Sequence, residues 1–295
     1  MKSRHVWVLL FSLCPTMDRA QIPDGAYLGQ VPPGLEAKLF APGIISVPNR
    51  RDGKITFSPD GRECFVGTVI NHVFAFLYTK MEDGHWAPLV QPDSFGTQDK
   101  REPFISPDGQ RLFFTGYPAD IWVSRKVNGQ WSAPSKVPSP VSTSAEEWHP
   151  TVTSDGTLYF SSSRNAPTGL YFIFRSRLEA GQYKHVEQLD STVNSPHYGA
   201  WDPFVAPDES YLLFGSCRPD GYGNLDLYIA FRRQDDTWTR PKNLGAAINT
   251  ERIEYGSYVS PDGKYYFFSR PAGWGAEIEA DIYWIDMRSI LTATH

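Results

Sequence analysis

One five-residue phrase returns five times along the chain: Phe57-Ser-Pro-Asp-Gly61, Ile105-Ser-Pro-Asp-Gly109, Val152-Thr-Ser-Asp-Gly156, Val205-Ala-Pro-Asp-Glu209 and Val259-Ser-Pro-Asp-Gly263. Its aspartates, Asp60, Asp108, Asp155, Asp208 and Asp262, stand 48, 47, 53 and 54 residues apart. That period matches one four-stranded propeller blade and is too long for a leucine-rich or ankyrin unit. The phrase itself is a tight turn. Proline presets φ at the first central position, aspartate suits the second, and glycine supplies the positive φ that ends it. Two copies depart, with Ser154 in place of proline and Glu209 in place of glycine, and the Glu209 turn is expected to be the more strained.

Each turn is followed by an apolar run such as Leu112–Thr115, Leu158–Ser161, Tyr211–Phe214 or Tyr265–Phe268. A third run follows at Asp120–Val123, Leu170–Ile173, Asp226–Ile229 and Asp281–Trp284, and then a polar hairpin. The next segments, Trp86-Ala-Pro-Leu89, Trp131-Ser-Ala-Pro134, Tyr183-Lys-His-Val186 and Trp238-Thr-Arg-Pro241, are predicted to be fourth strands. Proline lacks an N–H and is tolerated at a sheet edge, so this strand should be outermost. The fifth copy stops after its third run, while Leu35–Pro42 resembles the missing outer strand. The reading is an all-β, five-bladed propeller of four-stranded antiparallel blades, closed by the N-terminal strand. A six-bladed alternative lacks a sixth copy of the phrase.

Composition agrees. Glycine and proline number 24 each in 295 residues, and 41% apolar content is enough for a sizeable core and argues against disorder. A formal charge of −5 gives no electrostatic reason to expect a nucleic-acid partner. Lys2 and Arg4 precede the apolar run Val6–Leu13, which reads as a signal peptide cut after Ala20, although Asp18 is unusual at −3. The bulky Leu13 before Cys14 disfavours lipidation. No stretch is apolar for long enough to predict a membrane-spanning helix. The expected domains are a leader at 1–20, a linker at 21–34, the propeller at 35–289 and a tail at 290–295. Cys64 and Cys217 are too few and too far apart for a disulfide framework and are expected to be buried.

The recurring turn, third strand and Trp-x-x-Pro ending resemble the WD40-like Pro-Asp repeat of TolB-like propellers. The resemblance covers about residues 35–286. It implies the fold; for function it implies only a range, from periplasmic interaction modules to peptidase-linked propellers and polysaccharide-acting enzymes.

Chemistry is expected where the innermost strands begin, at one mouth of the channel. Six residues before each turn aspartate stand Lys54, Glu102, His149, Asp202 and Gly256, and one position earlier Gly53, Arg101, Trp148, Trp201 and Tyr255. Arg101, Glu102, Trp148, His149, Trp201, Asp202 and Tyr255 are therefore the candidate ligand-binding residues. Glu102, His149 and Asp202 are the candidates for any catalysis. Glu147 and the segment Asn194–Gly199 are expected nearby. Arg164, Arg218 and Arg270 are placed at a rim, paired with aspartates such as Asp226 and Asp281.

There is no Gly-x-Ser-x-Gly elbow and no room for a catalytic α/β domain beside five blades. Glu102 and Asp202 could serve as a glycosidase carboxylate pair, and His72, His149 and His197 could serve a metal-dependent lyase. No metal or other cofactor is expected. The leading expectation is an exported, periplasmic or secreted monomer that binds a protein or glycan ligand at the channel mouth without catalysis. The alternative is a carbohydrate-active hydrolase or lyase.

Overall fold

A computed structural model describes residues 21–96, 99–271, 273 and 278–294. The leader expected at 1–20 lies outside the described residues. The chain forms five small antiparallel sheets whose first strands contact one another in a closed ring. Blade 1 runs Asp52–Phe57, Glu63–Ile70, Val73–Glu82 and His85–Trp86, from the channel outward. Blade 2 has Lys100–Ile105, Arg111–Gly116, Asp120–Val127 and Ser135–Lys136. Blade 3 has Glu147–Val152, Leu158–Ser162, Phe172–Ser176 and Glu187–Gln188, and blade 4 has Trp201–Val205, Tyr211–Ser216, Asp226–Phe231 and Lys242–Asn243. Blade 5 takes Tyr255–Val259, Tyr265–Pro271 and Ala280–Asp286 from the C-terminal end and Lys38–Leu39 from the N-terminal end. Lys38 pairs with Trp284 and Leu39 with Tyr283, which closes the ring as the sequence predicts.

The recurring phrase joins the first two strands of every blade. In each, the N–H of the fifth residue donates to the carbonyl three residues back: Gly61 to Ser58, Gly109 to Ser106, Gly156 to Thr153, Glu209 to Ala206 and Gly263 to Ser260. The aspartate carboxylate accepts the N–H two residues on, as Asp60 does from Arg62 at 3.1 Å. Glu209 holds the same left-handed backbone as the glycines, at φ 58°. Its side chain offsets that strain by accepting from the Tyr159 hydroxyl at 2.8 Å and pairing with Arg232 at 2.8 Å.

The outer strand differs from expectation. The Trp-x-x-Pro segment is not one strand but two short pieces separated by the proline. Trp131 pairs with Lys126 near the end of the third strand; the chain passes Pro134, and Ser135–Lys136 then pairs with Val123 and Trp122. Blade 4 repeats this with Trp238 on Arg232, Pro241 between, and Lys242–Asn243 on Ile229 and Tyr228. A residue with no N–H to donate stands where the chain lets go of the ladder.

The segment before the closing strand is packed. Ile22 and Leu28 are buried, the Tyr27 ring meets Phe57 of blade 1 and Tyr265 of blade 5 edge to face, and its hydroxyl donates to Asp262 at 2.7 Å. The Trp86 indole of blade 1 donates to the Gly25 carbonyl at 2.8 Å. Residues 21–30 therefore clasp blades 5 and 1 across the closing seam. At the other end, Met287–Thr294 is helical, with Met287 and Ile290 buried. Among the described residues, no helix is long and apolar enough to cross a membrane.

Candidate functional site

Below one mouth the channel is filled. Phe104, Phe204 and Tyr258, from blades 2, 4 and 5, pack with ring centroids 5.9 to 6.4 Å apart, and Phe57 joins them from blade 1. The Tyr258 hydroxyl bonds the Phe57 N–H at 2.9 Å. Nearer the starts of the inner strands than this aromatic layer, a cavity of about 450 Å³ opens, lined by Glu102, His149 and Asp202 among others.

A bulge sets the geometry of the cavity. In blades 2 to 5 the pairing register slips between Arg101 and Phe104, Trp148 and Thr151, Trp201 and Phe204, and Tyr255 and Tyr258. The bulged residues Glu102, His149, Asp202 and Gly256 have φ of 56°, 55°, 47° and 76°. Only glycine adopts this region without cost; for other residues it is strained by about 1–2 kcal/mol. Each non-glycine position is followed by proline (Pro103, Pro150, Pro203), a residue that sheets tolerate at bulges. The N–H groups released from the ladder are caught by a neighbouring blade. His149 donates to Thr115 Oγ1 and Asp202 to Ser161 Oγ, each at 3.1 Å, and Gly256 donates to the Asp202 carboxylate. In blade 1 the slip falls one residue earlier, between Asp52 and Lys54.

The bulges bring Glu102, His149 and Asp202 together, with one ligand-type atom from each within 4.8 Å of the others. Their electrostatic environments differ. Asp202 is buried and fully engaged: Oδ1 accepts Lys54 Nζ at 2.9 Å, and Oδ2 accepts the backbone N–H groups of Gly256 and Ser257. Burial alone would raise its pKa, but the Lys54 ammonium, aided by His149, holds it below the ordinary carboxylate value. Glu102 is pushed up to about 7, first by burial and then by the Asp202 charge. His149 is lowered to about 4, chiefly by burial. Glu102 Oε2 and His149 Nδ1 find no hydrogen-bond partner among the described residues. A cation shared by the three residues would have to compete with Lys54 for Asp202.

The walls are aromatic. Trp148 and Trp201 line the cavity with Tyr255, as expected from their register, and Arg101 lies 3.5 Å from the centroid of Phe74 and 5.2 Å from that of Trp148. All seven candidate ligand-binding residues therefore share one cavity. Sequence reasoning missed Arg51, Phe74, Tyr171 and Leu225, which also line it. Phe74, Tyr171 and Leu225 share one register at the start of the third strand, five residues before Thr79, Ser176 and Ala230, which hold equivalent places in the ladders of blades 1, 3 and 4.

Several expectations are corrected. Glu147 does not face the cavity; it is buried against Arg164 at 2.8 Å and accepts from Thr143. Arg270 pairs with Glu254 in the same way at 2.9 Å, and Arg218 donates to the Thr192 and Val193 carbonyls. The rim arginines thus answer glutamates and backbone rather than Asp226 and Asp281. Asn194 is buried and bonds Ile173, whereas His72 and His197 are exposed and do not line the cavity. Cys64 is buried as expected, but Cys217 is exposed.

No family model and no curated protein matches the chain. Solved structures do resemble it. A GH62 hydrolase in complex with xylotriose is similar with TM-score 0.54 at 10% identity, over 85% of this chain and 97% of that one. A GH43 endo-arabinanase from Bacillus licheniformis is similar with TM-score 0.51 at 14% identity, over 82% of this chain and 95% of that one. TolB from Acinetobacter baumannii is similar with TM-score 0.47 at 16% identity over 78% of this chain; the match spans 53% of TolB, about half its length. At these identities the likeness is one of fold. The class defined is a five-bladed β-propeller with an aromatic-walled cavity at one mouth.

Proposed function

We propose that the chain binds a glycan in the cavity at the channel mouth. The observation that carries this reading is the strain at Glu102, His149 and Asp202. Blade 5 makes the same bulge with Gly256, so the backbone alone does not require an ionisable residue there. Left-handed non-glycine residues persist where surrounding structure imposes them, and they cluster at ligand clamps and active sites. Two of the three carry buried polar atoms without a partner among the described residues, and all three line a cavity walled by Trp148 and Trp201. Apolar walls with a few convergent polar groups are the usual form of a small-molecule site. A concave space of this size takes a sugar ring more readily than a flat protein epitope.

A second reading, glycan cleavage, is favoured by the divergent acidities. Glu102 is half protonated near neutral pH and His149 is neutral there, which makes an acid and a base side by side. Asp202 has its oxygens taken by three donors, so it serves as an electrostatic anchor rather than a nucleophile. Export to the periplasm or medium is part of the same proposal and rests on the leader.

Titration calorimetry against xylo-, arabino-, cello- and chito-oligosaccharides, with parallel product analysis, tests both. Binding that is lost in Trp148→Ala with Trp201→Ala supports the first reading. Products that disappear in Glu102→Gln support the second. No heat with any sugar at millimolar concentration overturns both.

A further inference from the structure

The ionisable residues that line the cavity do not balance in charge. Arg51 and Arg101 stand there against Glu102 and Asp202. Asp202 is already met by Lys54 at 2.9 Å, and Glu102, pushed up to about 7 by burial and the Asp202 charge, ionises less readily than an ordinary carboxyl. His149, lowered to about 4, is neutral near pH 7 and adds no charge. The lining therefore carries an excess of positive charge on its two arginines. Arg101 pairs with Asp99 at 3.1 Å, but those side chains are 30% and 29% exposed, so solvent screens the pair. Both guanidinium groups lie against rings that themselves line the cavity. Arg51, just before the first strand of blade 1, is 5.4 Å from the centroid of Tyr255 and reaches the Ile278 carbonyl at 3.4 Å. Arg101, in the first strand of blade 2, is 3.5 Å from the centroid of Phe74. Each favours the charged form of Glu102, so both are within electrostatic reach of that carboxyl.

We infer that the glycan taken up at the mouth is acidic, its ring carrying a carboxylate or sulfate that Arg51 and Arg101 receive. This rests on the glycan-binding reading and adds its substrate class. A guanidinium matches a planar oxyanion with paired N–H donors and is more weakly hydrated than an ammonium, so it suits an anion held away from bulk water. Contact with Tyr255 and Phe74 restricts how each guanidinium can turn. Glu102 adds to the same recognition. Its Oε2 is buried with no partner among the described residues, and a protonated carboxyl there is a donor that an incoming oxyanion can accept from. Trp148 and Trp201 remain to cover the C–H face of the ring. A neutral sugar would leave the excess positive charge unanswered, and an amino sugar would add like charge to it.

The test is calorimetry on the full chain with matched trimers. Galacturonate, mannuronate and glucuronate trimers are compared with the neutral galactose, mannose and glucose trimers, and a sulfated galactose trimer separates the two kinds of oxyanion. At least one acidic trimer is expected to bind roughly tenfold tighter than its neutral counterpart, the equivalent of one hydrogen bond to a charged group. Arg51→Gln and Arg101→Gln should each narrow that gap, and Arg51→Lys, which keeps the charge, should narrow it less than Arg51→Gln. Equal affinity for acidic and neutral trimers, or a gap that neither glutamine variant narrows, overturns the acidic ligand while leaving the mouth as a glycan site. Absence of binding by every trimer overturns the underlying reading instead. Should a variant melt early, the methyl ester of the acidic trimer decides on the native chain. The ester keeps the ring and loses the charge, so a gap that survives esterification overturns the inference.

Discussion

Lys54 Nζ lies 2.9 Å from Asp202 Oδ1, joining blade 1 to blade 4 across the channel with both side chains out of reach of solvent. The pair holds the negative charge against which Glu102 is raised, so it organises the site as well as the ring.

Breaking it from one side should be severe. Lys54→Met leaves Asp202 buried and uncompensated, at a cost of about 3–5 kcal/mol, whereas Lys54→Met with Asp202→Asn should recover much of that. Chemical denaturation of Lys54→Met, Asp202→Asn and the double variant measures the coupling. Additive losses in the double variant would show that the two side chains do not depend on one another.

The raised Glu102 gives a signed pH effect. Its folded pKa of about 7 exceeds its ordinary 4.5, so the folded state binds this proton more tightly than the unfolded chain does. The stability that this contributes is present below pH 4.5 and is lost as pH rises through 7. Glu102→Gln removes that loss. The variant should therefore gain in melting temperature relative to native as pH is raised from 5 to 8. Asp52, raised to about 6 mainly by burial, is common to both proteins and cancels in the difference. A difference that is flat with pH would contradict the assignment.

Relief of backbone strain should run against function. His149→Gly frees a left-handed residue and deletes a buried unpartnered nitrogen, so it should stabilise by about 1 kcal/mol while weakening ligand binding. Gly256→Ala should do the reverse, because a Cβ there would stand 2.3 Å from the Gly53 carbonyl oxygen. A loss of about 3 kcal/mol is expected. Thermal melts of the two single variants, run side by side, check the pair of signs.

The closing seam predicts a fourth stability effect. A chain starting at residue 43 loses the Lys38–Leu39 strand and the Tyr27 clasp, and exposes the edge of Ala280–Asp286. Its melting temperature should fall and size-exclusion chromatography should show association. An unchanged melting temperature would mean that the ring does not depend on its N-terminal strand.

Much of the fold was legible because it is periodic. A turn needs proline, aspartate and glycine locally, so its five copies announce the blades, and the incomplete fifth copy announces the closure. The ring of Arg101, Glu102, Trp148, His149, Trp201, Asp202 and Tyr255 followed from register alone. The bulge was not inferred, although Pro103, Pro150 and Pro203 at one register were its signature. Proline interrupts a ladder, and three interruptions at the same depth mark an irregularity that the fold repeats. Phe74 and Tyr171 were missed although they share a register with Leu225 at the start of the third strand, because an apolar residue there reads from sequence as ordinary strand core. Glu147 misled for a different reason. A glutamate beside the mouth reads as a ligand until Thr143 and Arg164 are seen to enclose it.

A ring of five equal blades would hold a ligand in five rotational poses of equal energy, with nothing to choose between them. Lys54, Glu102, His149, Asp202 and Gly256 are five different residues at one repeat position, which removes that degeneracy. Preferences of only about 1 kcal/mol between neighbouring blades outweigh a fivefold statistical choice. The same divergence leaves the mouth without a rotation axis, so an asymmetric ligand is expected to sit there in a single pose.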